Sequence, residues 1–239
     1  MSAWQPRRFW QNAWVEPCDG GFTVRLDARP LMSPAKALLV VPTAAMAEAI
    51  AAEWQAQQGI VKPETMPVTR SANAALDKIA PQFAEVAELI AAYGASDLLC
   101  YRATGPTGLV ARQAAAWDPM LAWAAEALAA PLAVTAGVTP IAQPAASLAR
   151  LTARVQACTP FQLAALHDLV MISGSLVLGL AVTDGHADAR TIWQLSRLDE
   201  TWQIEQWGQD DEASESAALR RAALIHAERF HRLCGQLSE

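Results

Sequence analysis

Residues 37–59 read ALLVVPTAAMAEAIAAEWQAQQG, and the character of the chain changes at Pro42. Before the proline, Leu and Val make a short β-prone run. After it, Ala, Met, Glu and Gln form a helix-favouring series, with Thr43 placed to cap its start and Gly59 to stop it. Upstream, AWV, the turn Asp19-Gly20-Gly21, FTVRLD with its alternating character, and ARP punctuate residues 9–41. This pattern predicts a hairpin or small meander, which needs something to cover its apolar face in water. Downstream, helical patterns cover 68–80, 81–93 from Pro81, 109–130, 145–157, 160–182, 187–207 and 212–234, with Asp118-Pro119 marking a start or kink. SDLLCYR at 96–102 fits either a strand or a helical turn. The class is α+β. A small N-terminal antiparallel β-rich domain, residues 1–42, is followed by a larger α-helical domain, residues 43–239, and the first module is open to recruiting later segments.

The 239 residues carry 18 Lys and Arg against 24 Asp and Glu, a net charge of -6. Nucleic-acid binding draws its affinity from cations on phosphates, so this balance argues against it. At 53% hydrophobic and 18% charged, with mean hydropathy +0.14, the chain is too apolar for disorder. Its most apolar run, LVMISGSLVLGLAV at 169–182, is too short to span a bilayer and reads as a buried helix whose Ser173, Gly174, Ser175 and Gly179 allow close packing. Cys18, Cys100, Cys158 and Cys234 are far apart with no CxxC spacing, as expected of reduced thiols in a cytoplasmic compartment.

Signatures of chemistry are missing. There is no GxGxxG after a strand and no GxxxxGK[ST] loop, so no nucleotide cofactor is expected. The four histidines, His167, His186, His226 and His231, lack coordinating spacing, and no metal site is expected. His167 and Asp168 are neighbours on a helix and diverge by about 100°, which argues against a triad with Ser173.

The stretch 196–213, SRLDETWQIEQWGQDDEA, interleaves Trp with carboxylates. On one continuous wheel over 192–207, apolar residues cover most of the circumference, and Asp199 and Glu200 fall among them. A carboxylate on an apolar face needs a partner, so a structural ion pair to an arginine is expected for Asp199 and Glu200, with Arg70, Arg102, Arg112 and Arg220 as candidates. The competing reading makes Asp199 and Glu200 the acid pair of a small-molecule enzyme in an interdomain cleft. Glu205, Trp207, Asp210, Asp211 and Glu212 form an acidic, aromatic rim suited to protein binding, although Glu212 also fits a helix's first turn electrostatically. Trp54 reads as core, and Tyr101 and Arg102 fit structural and functional roles equally.

Taken together, RRFW, GGFTVRLDARPL, AIAAEWQAQ, MPVTRSANAALD, SDLLCYRA, RQAAAWDPMLAW, SGSLVLGLAV and LDETWQIEQWGQDDEA resemble the chaperone family that assembles the catalytic sector of F-type ATP synthase. The resemblance runs in order over about residues 9–230. It implies a two-domain α+β protein that is not an enzyme, needs no cofactor and inserts into no membrane. Its partner would be the unassembled alpha subunit, whose beta-facing surface it would shield. The setting is the bacterial cytoplasm, with the mitochondrial matrix as organellar equivalent, and Glu205, Trp207, Asp210, Asp211 and Glu212 are the expected partner-binding residues. One departure is Ala28, where the family usually has glycine; a turn needing positive φ there would be strained.

Overall fold

The computed structural model describes residues 7–208 and 210–235, without the side chain of Asp211. The chain forms two compact units. One comprises Met1–Phe83, Pro160–Ala165 and Arg229–Glu239, and the other Ala84–Thr159 and Leu166–Glu228. The unit holding the sheet therefore runs on past residue 42 and recruits later segments. The architecture is α+β, with a small antiparallel sheet followed by a larger helical part.

In the first unit β1 (Ala13–Cys18), β2 (Gly21–Leu26) and β3 (Arg29–Pro30) form a meander in the order β1-β2-β3. Asp19-Gly20 makes the two-residue turn, since Cys18 pairs with Gly21 and the register runs to Ala13 opposite Leu26. Gly21 is obligatory: a Cβ there would lie 2.3 Å from the Val41 carbonyl oxygen. Residues 37–41 do not form the strand expected of them. Lys36, in the left-handed region at φ 66°, turns the chain, and only isolated bridges Met32–Leu38 and Phe22–Val41 follow. Leu39 and Val41 are nevertheless buried. In the β2–β3 turn the positive φ falls on Asp27 (52°), a residue type that tolerates it, so Ala28 is not strained.

Helix α1 (Ala44–Gln55) starts where the sequence predicts. Thr43 Oγ1 accepts the Met46 N–H at 3.1 Å, and Met46, Ala47, Ile50 and Ala51 make the buried stripe that packs on β1 and β2. The helix stops at Gln55, short of Gly59. Trp54 is half-buried, its ring 5.1 Å from that of core residue Trp10. Beyond it, α2 (Pro67–Ala74) is joined to α3 (Phe83–Ala91) by a π turn at Ala75–Ile79 and a 3-10 turn at Ala80–Gln82. Two helices divided at Pro81 were expected. The path is instead continuous, because the altered hydrogen-bond pattern absorbs the donor that proline lacks.

In the second unit SDLLCYR resolves into a 3-10 turn, Leu98–Cys100, and a short strand β4 (Tyr101–Arg102) pairing parallel with β5 (Thr135–Ala136). Helix α4 (Thr107–Ala127) carries Pro119 inside it rather than starting there. After α5 (Ala145–Gln156), the long helix expected over 160–182 is two: α6 (Pro160–Ser173) and α7 (Leu176–Thr183). Gly174 at φ 74° breaks it, and Ser175 caps α7 by accepting the Leu178 N–H. Leu176 to Val182 are all buried, and Val170 closes on Gly179, where a Cβ would lie 2.7 Å from it. The expected helix over 187–207 is also two: α8 (Ala189–Ser196) and α9 (Leu198–Trp207), separated at Arg197 (φ -108°, ψ 18°). Helix α10 (Asp211–Leu233) follows.

Candidate functional site

The break at Arg197 decides what α9 can do. At about 100° per residue, Asp199, Trp202 and Glu205 fall on one side and Glu200, Ile204 and Trp207 on the other. Only Leu198 of its ten residues is buried. The first side is spoken for by α4. Arg112 forks onto Glu205, with Nη1 2.6 Å from Oε2 and Nη2 3.0 Å from Oε1. This exposed pair holds the Glu205 carboxyl below its ordinary range and the Arg112 guanidinium above its own, each chiefly through the shared hydrogen bonds. Gln113, buried, donates from Nε2 to Asp199 Oδ1 at 2.7 Å and accepts the Ala103 N–H at 2.8 Å. Trp202 lies over Gly108, where a Cβ would sit 2.9 Å from the indole.

The second side has few internal ties. Glu200 pairs with Arg197 at 3.0 Å, whose guanidinium also lies over Trp193. Ile204 is 41% exposed and Trp207 79%. Gly208 (φ 89°) ends the helix, and beyond it Asp210 is a cap, its Oδ1 accepting the N–H groups of Glu212 and Ala213 at 2.9 and 3.1 Å. Glu212 is exposed. Asp211 opens α10, and its side chain lies outside the described residues. Of the five residues expected to bind a partner, Glu205 and Trp207 thus point apart, while Asp210 and Glu212 sit together at the head of α10.

The arginine ion pair expected of both carboxylates forms for Glu200 alone, and with Arg197 rather than with Arg70, Arg102, Arg112 or Arg220. Arg112 takes Glu205, Arg102 takes Asp118 and Arg220 donates to the Ile172 carbonyl. Asp199 has no ion pair among the described residues, and its partner is an amide. The wheel drawn through 192–207 crossed a break, which displaced every residue after it. As an acid pair for catalysis the two carboxylates diverge and have separate partners. A shallow cavity of about 280 Å³, lined by Arg190, Ala218, Arg221, Ala222 and Ile225, includes neither.

His167 Nδ1 does reach Asp168 Oδ1, at 3.0 Å, contrary to the divergence expected of adjacent positions. No triad results, since the buried Ser173 hydroxyl donates to the Leu169 carbonyl at 2.6 Å. Among the described residues no group of three or more His, Cys, Asp or Glu could hold a metal, and no helix is long and apolar enough to cross a membrane. Arg102 is mainly structural. It is 9% exposed, donates from Nε to the Leu99 carbonyl at 2.7 Å and lies over Trp117, which is itself buried and donates to the Leu195 carbonyl. Its Nη2 is 2.9 Å from Asp118, close enough for an ion pair but poorly angled for a hydrogen bond.

Sequence reading passed over Asp97, the most buried carboxylate of this unit. Its Oδ1 accepts the Leu99 N–H at 3.1 Å and its Oδ2 the Val177 N–H at 3.0 Å, with Ser175 and Leu176 also bonding to it. Burial outweighs those bonds and raises its pKa. Burial, with Asp97 close by, likewise pushes the Cys100 thiol to about 12, which keeps it protonated and inert. The available signal was an Asp directly before a hydrophobic turn, in the position of an N-cap.

Residues 7–125 match the sequence profile of the ATP12 chaperone protein family. The whole fold superposes on the crystal structure of Atp12 from Paracoccus denitrificans with a TM-score of 0.94 and 51% identity, covering 95% of this chain and 98% of that one. The chain belongs to the ATP12 chaperone family. The crystal structure of the Atu1473 protein of Agrobacterium tumefaciens, described as a chaperone, gives a TM-score of 0.91 and 41% identity over 95% of this chain and 86% of that one. The ATP12 profile ends within α4 and so stops short of α9.

Proposed function

We propose that this ATP12-family chaperone serves assembly of the catalytic sector of an F-type ATP synthase. In the cytoplasm it binds the unassembled alpha subunit and keeps alpha's beta-facing surface from aggregating, with no bond made or broken and no cofactor. The observation that carries the site is Trp207, 79% exposed at the end of a helix that buries one side chain. Large aromatics are rarely left in water unless something covers them, and aromatic anchors ringed by charge are the composition of a transient interface. Ile204 adjoins Trp207, and the acidic head of α10 with Glu200 supplies the rim. Glu205 joins this surface at its edge, where a cation of alpha would have to compete with Arg112.

A modest anchored patch also suits a chaperone that must let go, since affinity follows anchor quality more than area. The test is co-expression of the alpha subunit with this chain or with its Trp207→Ala, Ile204→Ser form. Alpha that stays soluble and elutes with the wild-type chain, but not with the variant, supports both the function and the site. Alpha that precipitates equally in the presence and absence of the chain overturns the function.

A further inference from the structure

One corner of the sheet in the first unit has the make-up of an interface. Phe9 is 58% exposed and Trp14 44%. Each is covered on one face by an arginine, the Arg29 guanidinium lying 5.0 Å from the Phe9 ring and that of Arg25 5.9 Å from Trp14. The turn at 27–29 ties the group together. Trp14 Nε1 donates to the Asp27 carbonyl at 3.2 Å, Arg25 Nη1 donates to the Ala28 carbonyl at 2.8 Å, and Arg29 follows directly. Phe9 is in turn held edge-on by core residue Trp10, their centroids 5.2 Å apart. The aromatics are thus fixed in place before any partner arrives, which lowers the entropic cost of using them.

We propose that Phe9, Trp14, Arg25 and Arg29 form a second docking surface, whose partner is a carboxylate-bearing polypeptide segment. The sign of the partner follows from which charges are already used. Glu16 is taken by Arg25 at 2.6 Å, and the Asp27 oxygens accept the backbone N–H groups of Gln11 and Asn12 at 2.9 to 3.1 Å, which occupies them without cancelling the charge. Arg29 has no ion pair among the described residues. The guanidiniums of Arg8, Arg25 and Arg29 outnumber the carboxylates of Glu16 and Asp27, Arg8 acting electrostatically on Asp27, so the net charge offered to a partner is positive, on a chain whose net charge is -6. A guanidinium lying over an aromatic ring keeps N–H groups to offer a carboxylate, which it can match in two-point geometry. A nucleic acid does not fit, because its binding needs several uncompensated cations and the excess here is a single positive charge.

This surface is independent of α9, and its test needs no alpha subunit. The probe is a fluorescein-labelled twelve-residue peptide of glutamates with two leucines, titrated by anisotropy while intrinsic tryptophan emission is followed; a lysine counterpart serves as control. Saturable binding of the acidic peptide that falls with added salt is expected. It should weaken at least about tenfold in Arg29→Glu, the scale of one lost charge-assisted contact. Arg29→Gln, at the same exposed position, should weaken it less, and Phe9→Ala should also weaken it. Circular dichroism checks that each variant is folded. No saturable binding, equal binding by the Arg29 variants, or equal binding of the lysine peptide would overturn the proposal. Sedimentation showing that the chain pairs with itself through this corner would do the same.

Discussion

Replacing Asp97 by Asn changes almost nothing in shape and removes one hydrogen-bond acceptor from a fully buried site, so its cost can be worked from the bonds present. The carboxylate receives the N–H groups of Leu99 and Val177 and is further bonded by Ser175 and Leu176. In Asn one oxygen becomes an NH2 group facing a buried donor. One bond is lost and one N–H is left unsatisfied, which together cost about 2–3 kcal/mol. For a protein of this size that lowers the melting temperature by about 5–10 °C. The pH dependence has a definite sign. The folded pKa of Asp97 is raised by burial above its unfolded value near 3.8. Between those two values the folded state holds the proton more tightly, so the wild type loses stability as pH rises, while the Asn variant lacks this dependence. The gap between them is therefore widest at acid pH and narrows upward. Urea denaturation at pH 4 and pH 8, with amide exchange at Leu99 and Val177, measures it. Equal stability at both values, or a gap that widens with pH, would refute the assignment of Asp97 as the pin between the 98–100 turn and α7.

The remaining predictions concern the sheet and the proposed surface. Trp207→Ala should leave stability within about 0.5 kcal/mol, as for exposed sites generally, and reduce alpha capture several-fold in a pull-down. Arg112→Gln should let the Glu205 pKa rise towards its ordinary value in an NMR titration. Glu205 stabilises the fold above its unfolded pKa and loses that contribution as pH falls through the depressed one, so the variant should be less sensitive to acid in that window. Gly21→Ala forces a Cβ into the Val41 carbonyl and should cost about 3 kcal/mol, read as a lower urea midpoint. An unchanged midpoint would mean that the approach of Val41 to β2 is not required.

The elements that local chemistry determines were legible in the sequence. Thr43 announces α1, the Asp19-Gly20 turn sets the register of β1 on β2, and the helical periodicity of 145–157 returns as α5. What periodicity could not reveal were breaks inside apolar runs. Gly174 and Arg197 interrupt stretches that read as single helices; Gly174 with its flanking serines reads as a close-packing patch rather than a break, and nothing local distinguishes Arg197 from an ordinary helix residue. Partners distant in sequence were equally hidden. Composition demanded that Asp199 be satisfied, but an amide on α4, 86 residues away, meets the demand as well as any arginine.

That second failure bears on where the functional surface lies. Read as one helix, 192–207 is apolar over most of its circumference, and Glu205 and Trp207 belong to one rim. Broken at Arg197, the same residues sort into a side bound to α4 by polar ties and a side with Ile204 and Trp207 in water. A helix that buries only Leu198 contributes little to its own unit's core, so its sequence is freed from packing constraints. Its exposed aromatic then calls for an explanation outside the monomer, whereas the carboxylates facing α4 do not. By this reasoning Trp207 is the anchor of the proposed alpha site. Glu205 is its gate, since its carboxylate is available only to a group that outcompetes Arg112, and loss of Trp207 should weaken capture more than loss of the Glu205 charge.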